Sequence, residues 1–201
     1  MSKSCDSELL ELYSRRSRGP VLKNKLFFRM IKALLIVNVG LSASGASAQQ
    51  WYGGEEDVAF AEKLWVALLE AGMVGDNSKA VAPYTGMHPH GTVLETLWNA
   101  VTVDGREALV VVKRSYRGGA SLETVLQRRS EYLFDITIMY KREDGYDEEN
   151  QNWYWAKYNP DGTLDATPNG VQLAGRIAKN RSKGCIACHK KAGGDDYLFV
   201  N

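Results

Sequence analysis

The sequence is poor in cysteine and proline and has almost no excess of charge. Its 201 residues include 3 Cys and 5 Pro, and 25 Lys and Arg stand against 24 Asp and Glu. With 44% apolar residues, this composition excludes collagen and intrinsic disorder, and the charge balance argues against a basic nucleic-acid-binding surface. Apolar runs are short as well: residues 33–37 are followed by Asn38, whereas crossing a bilayer takes about 20 apolar residues. We therefore expect one globular domain with no membrane span in the mature chain.

The first 48 residues have the layout of a secretory signal peptide. An apolar stretch, residues 33–41, precedes the small-residue sequence Ala46-Ser47-Ala48 and follows a cationic region. That region comprises Lys23, Lys25, Arg29 and Lys32. We predict cleavage after Ala48 and export to the periplasm, because 9 apolar residues are too few for the alternative, an N-terminal membrane anchor. Met30 is a second candidate start, since a chain that begins there has a 19-residue signal.

Removal of the leader leaves residues 49–201 as a single domain with two cysteines. Residues 1–48 hold 8 Lys and Arg and 3 Asp and Glu, so the mature chain has 17 basic and 21 acidic residues and a net charge of −4. Cys5 is lost with the leader, and Cys185 and Cys188 remain. Two cysteines so close in an exported chain do not staple distant segments together.

Hydrophobic periodicity predicts an α+β domain with a mostly antiparallel β-sheet and flanking helices. Apolar residues recur at three- and four-residue steps in residues 55–71, which is typical of an amphipathic helix. The strand-like runs are residues 92–103, 108–116, 132–141 and 152–158. Asp104-Gly105 supplies a tight turn between the first two strands. We predict further short helices at residues 121–129 and 171–180.

Near the C-terminus, two thiols and a histidine stand together in Cys185-Ile186-Ala187-Cys188-His189. Two cysteines at this spacing can each bond a vinyl group of one haem, and the histidine after them can bind the iron. The motif therefore predicts one covalently bound haem c with His189 as an axial ligand. Three alternatives stay open: a zinc site completed by His88 and His90, a thioredoxin-like redox pair, and a local disulfide.

The ligand on the other side of the iron decides what such a haem does. An electron-transfer cytochrome holds a second strong ligand there, commonly Met or His, whereas an open position admits a small molecule. The candidates in the mature chain are Met73, Met87, Met139, His88 and His90. The spacing of these residues selects neither arrangement.

The order of several short motifs resembles the cytochrome P-460 family, which includes the gas-binding cytochromes c′-beta. The motifs are Pro89-His90-Gly91 before an apolar stretch ending at Asn99, Asp104-Gly105 before ALVVVKRSY, Met139-Tyr140-Lys141 before Gly145-Tyr146, NWYWAKY before Pro160-Asp161-Gly162, and CIACH before Asp196-Tyr197-Leu198-Phe199. The resemblance runs from about residue 83 to the C-terminus. It implies a small sheet-rich fold, usually a homodimer, that holds one haem with an accessible distal face.

The resemblance also implies a small nitrogenous or gaseous ligand and assigns roles to two residues. In the P-460 enzymes, which oxidise hydroxylamine and also handle nitric oxide, a lysine joined covalently to the haem edge matches Lys113. Alternation alone places Lys113 on one strand face with Leu109 and Val111, where a packed stem with its ammonium in water is the alternative. A distal carboxylate of these enzymes matches Thr137, which is no general base near neutral pH. Asp135, on the same strand face, is a candidate to replace this carboxylate. A salt bridge or a cap at the strand end is the alternative role of Asp135.

Three functions are consistent with these residues. An enzyme would oxidise a small nitrogen compound and pass the electrons to a partner cytochrome. A gas-binding protein of the c′-beta type needs only an apolar pocket, which Leu133, Phe134 or Met139 could line. A six-coordinate electron-transfer cytochrome is the third function.

Aromatic and charged runs add weaker indications. Trp153 and Trp155 share a strand face, where we expect core or dimer packing. The acidic residues between 143 and 149 indicate a solvated hairpin tip, and Lys190 and Lys191 could guide an acidic redox partner.

Overall fold

The computed structural model describes residues 50–194 and 196–199, which are organised around one antiparallel sheet. The strands lie in the sheet in chain order: β1 (Tyr84–Thr85), β2 (Val93–Val103), β3 (Arg106–Tyr116), β4 (Leu133–Lys141), β5 (Trp153–Tyr158) and β6 (Ala174–Gly175). The α-helices in this part of the chain are α1 (Glu55–Glu70), α2 (Leu122–Tyr132) and α3 (Cys185–His189), and a 3₁₀ helix spans Glu148–Asn150. This architecture confirms the predicted α+β class with a mostly antiparallel sheet and flanking helices.

Two predictions about the N-terminal region lie outside the described residues. They are the signal peptide with its cleavage site after Ala48 and the start of the domain at residue 49. None of the helices that the structure describes is long and apolar enough to cross a membrane.

A long hairpin of β2 and β3 forms the middle of the sheet. Its register runs from Val93 opposite Tyr116 to Val103 opposite Arg106. Asp104 and Gly105 make the turn with φ values of 51° and 78°, the two positive angles that match the right-handed twist of paired strands. The local turn chemistry thus sets the register of every residue on these strands.

The two faces of the sheet bury different partners. One face carries Val110, Val112 and Ile138, which pack in one cluster with Leu64 and Leu68 of α1. Side chains alternate between faces along a strand, so residues in between point to the opposite face. There Met139, Trp153 and Trp155 pack in a second cluster with Ile186 of α3. The helix that bears the Cys-His motif therefore lies against the face that α1 leaves open.

Tyrosine hydroxyls fix α1 on its face of the sheet. The Tyr154 hydroxyl donates to the carbonyl oxygen of Asp57 at 2.6 Å, and the Tyr158 hydroxyl donates to that of Ala61 at 2.9 Å. Both rings are fully buried, so each polar end finds a partner in the backbone of α1.

The predicted helices at residues 55–71 and 121–129 are confirmed by α1 and α2. The Ser121 hydroxyl accepts a hydrogen bond from the Thr124 backbone at the start of α2, which is typical of a helix N-cap. The four predicted strands are confirmed as β2 to β5, with small shifts at their ends.

The predicted helix at residues 171–180 is wrong. This segment forms β6, where Gly175 pairs with Trp155, and a series of turns. Ala178 and Asn180 have φ values of 65° and 59°, which an α-helix does not accommodate. A Cβ atom on Gly175 would lie 2.5 Å from the Asp57 carboxylate, so contact with α1, which the sequence pattern does not reveal, sets the local backbone.

A buried ion cluster stabilises the open end of the β2–β3 hairpin, away from its turn. Glu95 accepts hydrogen bonds from Arg114 at 2.9 Å, from Arg129 of α2 at 3.0 Å and from the Tyr116 hydroxyl at 2.6 Å. Arg114 also donates to the carbonyl oxygen of Met73. Glu95 and Arg114 are 0% and 1% exposed, so each charge depends on the other for compensation. The cluster fixes the strand segment that carries the neighbouring Lys113.

We predict that Glu95→Gln lowers the free energy of unfolding by about 3–5 kcal/mol, because it leaves the buried Arg114 charge without a carboxylate. Urea denaturation of the purified variant measures this loss. The matched control is Lys63→Gln, which removes an exposed ion pair with Asp104 and should change stability by less than about 1 kcal/mol. Equal effects of the two variants would show that the buried cluster does not hold the hairpin.

Candidate functional site

Helix α3 brings the two cysteines onto one side of a short turn. Cys185 and Cys188 are three residues apart in the helix and therefore neighbours on its surface, and both thiols are free. Ile186 between them is buried against the tryptophans of β5. At the helix start, Gly184 has φ 114° and ψ −169°, a region that only glycine enters readily. The backbone therefore turns into α3 where a side chain would not fit.

His189 at the end of α3 is held in one orientation. Its Nδ1 lies 2.8 Å from the carbonyl oxygen of Tyr197. A carbonyl oxygen only accepts, so Nδ1 carries the proton and donates, and Nε2 keeps its lone pair. The ring is 7% exposed and packs edge-on near Trp155 and Phe199, with centroids 4.8 and 5.2 Å away. Burial lowers the pKa of His189, so the neutral, ligating form is favoured.

A cavity of about 940 Å³ opens between α3, the sheet and the loop at residues 88–90. Its sheet wall is built from the face opposite α1 and includes Val111, Thr137, Met139 and Trp155. Cys185, Cys188 and His189 form the other wall. The volume is that of a site for a large organic cofactor, and most of its lining is apolar.

Lys113 and Thr137 lie side by side on the sheet wall. The register places Lys113 opposite Thr96 on β2 and opposite Thr137 on β4, and all three residues line the cavity. Burial lowers the pKa of Lys113, and its ammonium forms no ion pair with the residues that the structure describes. The neutral amine is therefore more accessible than in an ordinary lysine.

Asp135 is not part of the cavity wall. Its carboxylate is almost fully buried and lies 3.2 Å from the Lys157 ammonium and 3.6 Å from the Arg117 guanidinium. This arrangement is the salt bridge expected from the sequence as the alternative role of Asp135. No Asp or Glu within residues 50–194 and 196–199 lines the cavity.

Of the three apolar candidates for the pocket wall, the structure places only Met139 there. Leu133 packs against the cores on the side of α1 and α2. Phe134 is 47% exposed and lies beneath the Arg117 guanidinium, 3.9 Å from its ring centroid. The pairing of β3 with β4 shifts in register here, from Ser115 opposite Asp135 to Tyr116 opposite Leu133, and skips Phe134. Alternation alone does not predict such a bulge.

Of the five other axial-ligand candidates, two lie outside the cavity and three line it. Met73 is buried in the core with α1, and Met87 is 73% exposed beside a different groove. His88, His90 and Met139 line the cavity. The ring centroids of His90 and His189 are 6.2 Å apart. Burial and the nearby Lys113 charge lower the pKa of His90 to about 4.

Some cavity residues were not predicted from the sequence. Trp155 was expected only to pack in the core or a dimer, yet it lines the cavity, whereas Trp153 donates to the carbonyl oxygen of Asp196 at 2.8 Å. Thr96 could have been found from its position opposite Lys113 in the hairpin register. Tyr197, which contacts His189, could not have been found from the sequence, because it contributes its backbone carbonyl rather than its side chain.

The alternatives to a haem fit this geometry less well. Among the described residues, no group of three or more His, Cys, Asp and Glu side chains is placed to hold a metal ion, whereas structural zinc takes four ligands. Burial raises the pKa of the Cys185 thiol to about 11, opposite to the lowered value of a reactive redox cysteine.

Comparison with protein-family models identifies the family of this chain. The family model for cytochrome P-460 matches residues 75–200. The chain belongs to the cytochrome P-460 family. The match confirms the resemblance drawn from the motifs, and it identifies the protein with a family that binds haem c. Searches of curated proteins and of solved structures found no match.

The cavity fits the cofactor of the cytochrome P-460 family. Two free thiols and an imidazole with a free Nε2 lie on one wall, and the opposite wall is mostly apolar. The buried indole N–H of Trp155 has no hydrogen-bond partner in the described part of the chain. A buried donor without a partner is rare in proteins, and here it belongs to a residue on the cavity wall.

We predict that Gly184→Ala lowers the free energy of unfolding by about 1–3 kcal/mol, because the new Cβ atom would lie 2.5 Å from the Ala178 Cβ in a strained backbone. Chemical denaturation provides the measurement. Gly145→Ala is the matched control, since Gly145 also has positive φ but a Cβ atom on it would meet nothing within 4 Å beyond its chain neighbours. A loss of unfolding free energy no larger than that of Gly145→Ala would show that the backbone at the start of α3 is not closely packed.

Proposed function

We propose that the protein is an exported, periplasmic cytochrome that holds one haem c and binds a small nitrogen species at its iron. Cys185 and Cys188 would hold the haem through thioether bonds, and His189 would bind its iron. The observation that carries this proposal is the hydrogen bond from His189 to the Tyr197 carbonyl beside two free thiols and a large cavity. A backbone or carboxylate partner on the second nitrogen is the usual support of a metal-binding histidine.

When bound, the haem supplies an iron atom that takes up or releases one electron and can bind a small molecule. The cavity walls then determine which molecule enters. Val111 and Met139 give an apolar surface that favours a small uncharged ligand such as nitric oxide over an ion. The Thr137 hydroxyl can donate a hydrogen bond to such a ligand, but it does not take up protons near neutral pH.

Binding of nitric oxide is therefore better supported than oxidation of hydroxylamine, which is our second candidate function. Oxidation releases protons that a general base near the iron must accept. Thr137 stands at the position of the family's carboxylate, and the nearest carboxylate on that strand face, Asp135, is engaged by two cations. His90 is the remaining group on the wall that could accept a proton.

Lys113 is the residue that we propose for the covalent link to the haem edge found in the P-460 enzymes. Its position on the cavity wall and its lowered pKa support this role, because a neutral amine is the nucleophilic form of lysine. The link would replace an N–H and a haem-edge C–H bond by one C–N bond, with release of two protons and two electrons, so its formation needs a two-electron oxidant such as a peroxide. The sequence also offered an alternative, in which the aliphatic part of Lys113 is packed and its ammonium lies in water. A partly buried amine fits this alternative less well.

Electron exchange with a partner cytochrome completes the proposal. Lys183, Lys190 and Lys191 are exposed around Cys188, where they would attract an acidic surface on the partner. Trp98 is 73% exposed and Leu109 is 40% exposed at the other side of the cavity. Exposed apolar groups of this kind are typical of interaction sites, and they support the homodimer that the family resemblance implies.

We predict that the holoprotein, produced with the haem-attachment machinery, carries one haem on the peptide with Cys185 and Cys188, joined to the Lys113 peptide. Tryptic mass analysis measures both links. Lys113→Arg should keep the cysteine-linked haem and lose the second peptide. Colourless wild-type protein would refute the haem proposal as a whole, whereas an unmodified Lys113 would refute only the second link.

We predict that Thr137→Glu raises the rate of hydroxylamine oxidation by about 100-fold, because a general base contributes a factor of this order. Turnover with an artificial electron acceptor is the measurement. Thr96→Glu, on the other side of Lys113, is the matched control and should give a much smaller gain. Fast turnover by the unchanged protein would contradict the preference for ligand binding.

A further inference from the structure

Trp153, the first residue of β5, lies outside the cavity wall, yet a hydrogen bond links it to the C-terminal segment. Its side chain is 1% exposed, and its indole N–H donates to the Asp196 carbonyl oxygen at 2.8 Å. A buried indole N–H usually finds a partner, and this partner lies 43 residues further along the chain. The function proposed above assigns no role to this bond.

The residue after Asp196 has an unusual backbone conformation. Tyr197 has a φ of 64°, in the left-handed region, which is uncommon for residues other than glycine. The Asp196 carboxylate accepts a hydrogen bond from the Leu198 amide at 3.0 Å, so residues 196–198 form a tight turn, the C-terminal turn. A conformation of this kind persists where the surroundings determine it, and such residues cluster at functional sites. The Tyr197 backbone thus indicates a functional role for the C-terminal turn.

The C-terminal turn directs the Tyr197 carbonyl oxygen to His189. This oxygen lies 2.8 Å from Nδ1 of the histidine. The rings of Trp155 and Phe199 pack near the same imidazole, but neither side chain offers a hydrogen-bond acceptor in its plane. The Tyr197 carbonyl therefore determines where the Nδ1 proton points.

Trp153 is the buried polar anchor of the C-terminal turn. The hydroxyl of Tyr197 also forms a hydrogen bond, to the Glu149 carbonyl at 3.2 Å, but that contact is exposed and competes with water. Tyr197 and Leu198 pack against the second core cluster, and apolar packing is non-directional. The hydrogen bond from Trp153 therefore sets the orientation of the turn.

The direction of the Nδ1–H bond affects what Nε2 of His189 offers to a metal. An imidazole that donates from one nitrogen to a carbonyl or a carboxylate is a more basic ligand at its other nitrogen. Hydrogen bonds of this second shell are among the means by which a protein adjusts the reduction potential of a haem. A more basic axial ligand strengthens the bond to iron and lowers that potential.

We propose that Trp153 is a positioning residue for His189: through the C-terminal turn it holds the Tyr197 carbonyl in place and so sets the donor strength of the axial imidazole. This inference rests on the proposed haem attachment, and it leaves the other side of the iron open. The two tryptophans of β5 then have different roles, because Trp155 lines the cavity and Trp153 acts on it through the backbone of the turn.

The experiment compares the purified wild-type holoprotein with the variant Trp153→Phe, which keeps an aromatic ring and removes the indole donor. Resonance Raman spectra of the reduced proteins should show the iron–histidine stretching band at a lower frequency in the variant. The reduction potential should rise by about 59 mV, which corresponds to a tenfold shift of the redox equilibrium. Tyr197→Phe is the matched control, since it removes only the exposed contact with Glu149 and should leave both quantities unchanged.

A second pair of variants tests the turn directly and decides the matter if Trp153→Phe does not fold. Asp196→Ala removes the acceptor of the Leu198 amide, whereas Asp196→Asn removes the same charge and keeps an acceptor. The stretching frequency should therefore fall in Asp196→Ala relative to Asp196→Asn.

An unchanged band and potential in Trp153→Phe would overturn the inference, and so would identical bands in the two Asp196 variants. A shift in Tyr197→Phe as large as that in Trp153→Phe would also overturn it, because the exposed hydroxyl would then hold the turn. Wild-type protein without haem would instead refute the proposed function, so the two failures are distinguishable.

Discussion

Alternation of side chains on the three long central strands is the constraint on which the rest of the structure depends. Because successive residues point to opposite faces, Val112 enters the α1 core while Lys113 beside it enters the cavity. A slip of one residue in the β2–β3 register would exchange these two sets. The Asp104-Gly105 turn and the buried Glu95 cluster prevent such a slip, so residues that do not line the cavity determine which side chains reach it.

The second wall of the site depends on the C-terminal segment rather than on the sheet. Residues 196–199 contact three parts of the fold: the Asp196 carbonyl accepts from Trp153, the Tyr197 carbonyl accepts from His189, and the Tyr197 hydroxyl donates to the Glu149 carbonyl. The orientation of the His189 ring is therefore linked to β5 and to the hairpin that follows β4. A helix of five residues such as α3 has little stability of its own, and these contacts stabilise it.

The sequence predicted the sheet wall well and the loops poorly, and the difference has a physical cause. Lys113 and Thr137 were expected from the resemblance to the cytochrome P-460 family, and period-two alternation gave only the strand face of Lys113. The Cys185–His189 motif follows from covalent chemistry at fixed spacing. Tyr197 contributes a backbone carbonyl, which any residue type supplies, so no pattern reveals it. The predicted helix at residues 171–180 failed because contact between Gly175 and Asp57 outweighed local propensity. His90 reaches the cavity through backbone contacts of a loop, which only the folded chain shows.

The position of Asp135 explains why its carboxylate does not reach the cavity and take the place of the carboxylate that the family resemblance implies at Thr137. Lys157 on β5 lies directly opposite Thr137, and its ammonium contacts both Asp135 and Asp165. Turning the Asp135 carboxylate toward the cavity would remove a partner from Lys157 and from Arg117. Loss of one member of a buried ion pair is strongly unfavourable, so this carboxylate is fixed by the charges around it. A general base at this part of the wall therefore requires a new residue, because the Asp135 carboxylate cannot be released from its cations without loss of stability.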